Sequence, residues 1–143
     1  MALINIREVY PGVSLGIWEM NESVADLMNC CPWVQSFCSE MERFKNENRR
    51  KEFLAVRVLL HEMFLMLGVP ETRICELGKI TYNQAGKPLV KGYHISISHT
   101  QGYVAVILSR KHGVAVDIEY FNDRVKKIAS KFLRKDEQAK DLD

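Results

Sequence analysis

From position 48 to 67 apolar residues return at helical spacing. Phe53, Val56, Leu60 and Phe64 share one face, and Leu59, Met63 and Leu67 widen it. The spacing predicts a helix from about Asn48 to Leu67, apolar nearly all round and therefore buried. Gly68 and Pro70 end it, as a C-terminal glycine and a following proline do. Upstream, Val13 to Met20 reads as a strand after the Pro11-Gly12 turn. Ser23 to Asn29 reads as a short helix interrupted by Pro32, and Trp33 to Phe44 as helical. The stretch Lys45 to Lys51 is strongly polar. Downstream, the period falls to two. Lys79 to Tyr82 is a short strand, Asn83 to Pro88 a loop, and Tyr93–Ser98, Tyr103–Ser109 and Val114–Glu119 are three strand candidates. Arg110 to Gly113 reads as the hairpin turn between the last two. Val125, Ile128, Ala129, Phe132 and Leu133 then follow helical spacing behind Asn122 or Asp123 as a cap. The order predicts an α+β fold, an antiparallel meander sheet packed on the long helix.

Composition narrows the class. The 143 residues suffice for one domain, and 47% apolar with 27% charged residues is ordinary for a globular protein. A net charge of +2 gives no reason to expect nucleic acid. No apolar run reaches a membrane span, and Arg7 and Glu8 stand where a signal peptide needs its apolar core. Cys30, Cys31, Cys38 and Cys75 form no C-x-x-C pair, and no histidine lies at zinc-site spacing. Reduced thiols in a cytoplasmic protein are the simplest account.

The chemistry concentrates at strand ends. In Val114 to Glu119 the valines and Ile118 point to one face, and Ala115, Asp117 and Glu119 to the other. Carboxylates two apart on a strand sit roughly 6–7 Å apart, which suits convergence on one hard cation such as Mg²⁺. In Ser96-Ile97-Ser98-His99-Thr100 the serines face away from the core, and His99 falls where the strand leaves the sheet. Gly86-Lys87-Pro88 is a rigid turn presenting one lysine. Arg49, Arg50 and Lys51 crowd the start of the long helix, where solvation alone accounts for them. Arg57 lies mid-helix among apolar residues; it either pairs with an internal acid or borders a pocket and awaits an anion. No P-loop, dinucleotide fingerprint or nucleophile elbow is present. Ser98 and His99 are strand neighbours that point apart, a poor geometry for a nucleophile and its base.

In this order and spacing, Gly86-Lys87-Pro88, Ile95 to Thr100 and Val116-Asp117-Ile118-Glu119 resemble the G-K-P, S-H-S/T and G-x-D-I-E motifs of the 4′-phosphopantetheinyl transferase superfamily, in its larger pseudo-twofold type. The likeness spans roughly residues 40 to 135. It implies one pseudo-repeat of that fold over 1–121 and a linking helix over 122–143. It also implies a cytoplasmic enzyme that moves the phosphopantetheine arm of coenzyme A onto a serine of an acyl or peptidyl carrier protein. Asp117 and Glu119 would be its catalytic residues and Mg²⁺ ligands. Lys87 and Pro88 would flank the adenine and phosphates. Ser98 and His99, with Arg50, Lys51 or Arg57, would bind the 3′-phosphate.

Two departures qualify the likeness. Ala115 stands where the family usually has glycine. The W-x-x-K-E-A motif, which supplies a third carboxylate and a phosphate-binding lysine, has no counterpart, since Trp18 and Trp33 both precede the D-I-E. The expectation is a first pseudo-repeat that is inactive in transfer by itself. The alternative is a non-catalytic half-domain that binds coenzyme A or a carrier protein, with a homodimer covering the face left by the missing half. A basic helix over 123–135, carrying Lys126, Lys127 and Lys131, is the expected docking surface for an acidic carrier protein.

Overall fold

A computed structural model describes residues 3–30, 32–77, 79–120 and 128–134. Strands β1 (Leu3–Tyr10) and β2 (Val13–Glu19) form a hairpin around Gly12, whose φ of 82° is the left-handed conformation that glycine adopts without strain. Helix α1 (Val24–Cys30) follows, then a 3-10 turn (Pro32–Phe37) and the one-turn helix α2 (Cys38–Met41). The long helix α3 covers Glu47–Met66, and α4 covers Glu71–Leu77. A small hairpin, β3 (Thr81–Tyr82) and β4 (Pro88–Leu89), leads into β5 (His94–Thr100) and β6 (Tyr103–Ser109). Strands β7 (Val114–Tyr120) and β8 (Ile128–Arg134) pair with each other.

Helix α3 starts where its sequence supplies a cap. The Asn46 side chain accepts the N–H groups of Asn48 and Arg49 at 2.8 and 3.2 Å. It stops where Gly68, at φ 81°, donates to the Leu65 carbonyl and Val69 to that of Phe64, both at 3.0 Å. Every residue from Phe53 to Leu60 is buried, as an all-round apolar helix requires.

The main sheet is antiparallel with strand order β1-β2-β6-β5. Its two faces bury different sets. Trp18, Ile95, Val104, Val106 and Leu108 pack with α3. Val13, Leu15, Ile17, Ala105 and Ile107 pack with Val114 and Val116 of β7. The sheet therefore lies between the helices and the β7–β8 hairpin, and all seven residues of β6 are buried.

Two sequence expectations need correction. The meander was expected to run from β6 into β7, but β2 and β5 already occupy both edges of β6. With no ladder position left, β7 crosses to the outer face of the sheet and pairs with β8. The helix expected over 122–143 is not observed either: Ile128–Arg134 is a strand. A window this short satisfies both periods, and the free edge of β7 decides for the strand. The basic docking helix over 123–135 loses its helical basis with it; residues 121–127 and 135–143 lie outside the described ones.

Gly16 sets the distance between β2 and α3. A Cβ there would lie 2.7 Å from Met63 Sδ and 2.9 Å from Leu59 Cδ1. Gly16→Val is expected to overpack this contact at a cost of about 1–3 kcal/mol. Urea unfolding of the two proteins checks the difference, and equal midpoints would contradict the close approach.

Candidate functional site

Of the residues singled out in the sequence, His99 meets the start of α3, whereas β7 lies against the opposite face of the main sheet and the Gly86-Lys87-Pro88 turn precedes β5. Alternation along β5 puts Ile95 and Ile97 against the helix-side core, and His99 follows them to the same side. There His99 Nδ1 lies 3.3 Å from Glu52 Oε2, which joins the end of β5 to the second turn of α3. Half of the His99 side chain remains exposed, so the ring is accessible as well as anchored. Ser96 lies on the opposite face, where its Oγ accepts the Val116 N–H at 3.2 Å. Ser98 shares that face by the same alternation, so the two halves of the Ser-His pair point apart, as expected.

The Val116 bond pins β7 beside β5. Val114 and Val116 are buried and Ala115 is exposed, as the alternation predicts. Positions 117 and 119 continue the set that Ala115 begins, and in the β7–β8 ladder they pair with Lys131 and Ala129.

Gly86-Lys87-Pro88 sits on a turn organised by Asn83. The Asn83 Oδ1 accepts the N–H groups of Ala85 and Lys87, each at 2.9 Å, and Gly86 takes a φ of 83°. The turn holds Lys87 exposed. Pro88 pairs with Tyr82 in the β3–β4 ladder, and Tyr82 opposes the lowering of the Arg57 pKa.

Arg57 is only 4% exposed. Its guanidinium lies 3.6 Å from the ring centroid of Phe53 and 5.8 Å from that of Phe37, and Nη1 donates to the Phe53 carbonyl at 3.3 Å. Burial pushes its pKa below the ordinary arginine value, opposed by Tyr82 and by Glu40. Its Nε is buried with no hydrogen-bond partner among the described residues. Of the two roles open to it, neither an internal ion pair nor an open pocket is observed; aromatic rings enclose it. Arg50 Nε donates to the Phe44 carbonyl at 2.6 Å, and Arg49 lies 5.5 Å from the Phe44 ring. Both therefore help to fold the chain onto the start of α3. Lys51 has no such contact among the described residues and is half-buried beside Glu52.

Sequence reasoning missed Glu52 and Asn83. Only the parity of His99 with Ile95 and Ile97 signalled the first of them.

Two further groups flank the site. His61 stacks on Trp33 with centroids 4.3 Å apart and planes at 17°. Burial pushes its pKa below 6.5, partly offset by Glu62 and Glu71. A depressed histidine is neutral in the fold, so its stability is intact above the unfolded pKa and is lost as the pH falls through the folded value. His61→Phe, which keeps the stack, is expected to flatten the loss of stability between pH 7 and pH 5; guanidinium melts at both pH values measure it. Cys38 is a free thiol whose hydrogen bond to Glu42, at 3.5 Å, raises its pKa, so it is poorly suited to nucleophilic work.

Among the described residues no group of three or more His, Cys, Asp or Glu side chains forms a metal site, and no helix is long and apolar enough to cross a membrane. Comparison with protein-family models gives no match, and comparison with curated proteins gives none either.

Proposed function

We propose that this chain carries the coenzyme A-binding part of a Mg²⁺-dependent 4′-phosphopantetheinyl transferase. The observation that carries the reading is the His99–Glu52 contact, which brings the Ser-His-Thr strand end to the basic start of α3. The Gly86-Lys87-Pro88 turn precedes β5 in the chain, and β7 is tied to β5 through Ser96 from the other face of the sheet. Cationic groups fit a nucleotide rich in phosphate, and two carboxylates at alternate strand positions fit a hard cation.

In this reading Asp117 and Glu119 hold Mg²⁺. When bound, the ion supplies charge neutralisation at the pyrophosphate as the serine of a carrier protein attacks. Lys87 receives a phosphate oxygen from its turn, and the order that Asn83 imposes spares the entropy of ordering that loop on binding. His99 and Lys51 take the 3′-phosphate, with Glu52 setting the ring of His99. The third carboxylate and the lysine of the resembled family have no counterpart in these 143 residues, so arm transfer by them alone is expected to be negligible. An apo carrier protein incubated with the chain, coenzyme A and Mg²⁺ should keep its mass.

Lys87→Ala tests the reading on this chain. Loss of a charge-assisted hydrogen bond should weaken coenzyme A binding by about 10- to 150-fold, since such bonds contribute about 1.5–3 kcal/mol. Lys87 is exposed, so the melting temperature should stay unchanged. Undiminished affinity would remove Lys87 from the site.

A further inference from the structure

A second cationic concavity lies at the far end of the molecule. It is a cleft of about 860 Å³ between the C-terminal end of α3, the β1–β2 turn, the Lys91-Gly92 turn and the β6–β7 connection. The distance from Glu52 to Leu67 along α3 is roughly 22 Å, at 1.5 Å per residue. The candidate site above thus lies at the opposite end of the helix.

The charge around this cleft is one-sided. Arg73, Lys91, Arg110 and Lys111 line it, His112 adds a titratable ring, and Glu8 is its only carboxylate among the described residues. The four basic residues are exposed, and none makes an ion pair with another described residue. Glu8 is engaged with its own turn, where Oε2 accepts the Gly12 N–H at 3.3 Å.

The turn carrying Arg110, Lys111 and His112 is also held in place. The buried Ser109 Oγ accepts the N–H groups of Lys111 and His112 at 3.2 and 3.1 Å, which fixes the turn that carries Arg110 and Lys111. The Arg110 guanidinium rests 5.8 Å from the Tyr93 ring, and the His112 ring meets Tyr10 edge-on at 5.9 Å. Like charges gathered in a concave wall repel one another and raise the local potential, and an anion relieves both effects. Two arginines supply planar forks for phosphate oxygens, and two lysines supply point charges. The volume lies within the range of small-molecule sites.

We infer that this cleft binds a small molecule bearing a diphosphate group, at a site separate from the proposed coenzyme A site. The diphosphate is the shared chemistry, and both a nucleoside diphosphate and inorganic pyrophosphate carry it.

Calorimetric titration of the chain with ADP, AMP and pyrophosphate tests this without added Mg²⁺ and with saturating adenosine 3′,5′-bisphosphate, which carries no diphosphate, occupying the proposed coenzyme A site. ADP should bind at least about tenfold more tightly than AMP, because a second phosphate engages further cations. Pyrophosphate that matches ADP assigns the site to the bare diphosphate; pyrophosphate that binds more weakly assigns it to a nucleotide. Charge reversal in Lys91→Glu with Arg110→Glu should abolish the binding and leave the melting temperature unchanged, both side chains being exposed. Because the bisphosphate occupies the proposed coenzyme A site, this result is separate from failure of the coenzyme A reading. Three outcomes would overturn the inference: no ADP binding at millimolar concentration, equal affinity for AMP, or binding that survives the double reversal.

Discussion

Phe64→Ala is expected to cost about 3–5 kcal/mol, the range for deleting a fully buried aromatic side chain. Phe64 is completely buried in the last full turn of α3. Its ring meets Tyr93 at 5.1 Å and 66°, an edge-to-face contact that joins the helix to the segment entering β5. Around it, Met63 and Leu60 are equally enclosed, so a cavity there has little flexible material to fill it. Domains of this class have only about 5–15 kcal/mol of total stability. A loss of this size should lower the melting temperature by roughly 10 °C. Differential scanning calorimetry reads it directly. Phe64→Leu, which keeps most of the volume, should cost less. Equal melting temperatures for Phe64→Ala and the parent would contradict the placement of α3 as the central buried element.

That helix was legible because its signal is redundant. Apolar spacing, the polar run before it, and Gly68 and Pro70 after it agree on a span within one residue of Glu47–Met66 at each end. β2, β5, β6 and β7 were legible for similar reasons. β1 was not read, because Leu3–Tyr10 sets Asn5, Arg7 and Glu8 among its apolar residues and its register with β2 shifts twice. Ile128–Arg134 was misread as helix, because pairing with β7 is a long-range fact that no local period contains. At the site, Lys87, His99 and the Asp117-Ile118-Glu119 strand were visible as motifs. Their supports were not: Glu52 reaches His99 across 47 positions. The distal cationic cleft was invisible for the same reason. Arg73, Lys91 and Arg110 share no spacing, and only the fold places them around one concavity.

Asp117→Asn carries the second large expectation. If Asp117 and Glu119 share one Mg²⁺, removing one of two carboxylates removes half of the anionic donor set. Even groups that only support metal ligands change metal affinity by about 10- to 100-fold, so a direct ligand should exceed that. Mg²⁺-stimulated coenzyme A binding should disappear in Asp117→Asn and in Glu119→Gln, while the weaker Mg²⁺-independent binding through Lys87 and His99 stays. The double variant should behave like each single one, because the metal is already lost after the first substitution. Circular dichroism guards against misfolding, and β7 should keep its place through Val114, Val116 and the Ser96 bond. Retained Mg²⁺ stimulation in both single variants would leave the carboxylates as an ordinary strand end facing water.

The most direct test of the central claim is a calorimetric titration of the unaltered chain with coenzyme A, with and without Mg²⁺. Saturable binding that Mg²⁺ tightens and EDTA reverses is expected, and it should persist in the Lys91→Glu, Arg110→Glu chain. The account also predicts competition by adenosine 3′,5′-bisphosphate, which carries the 3′-phosphate proposed for His99 and Lys51. No heat of binding in the presence of Mg²⁺, or binding indifferent to both Mg²⁺ and the 3′-phosphate, would contradict it.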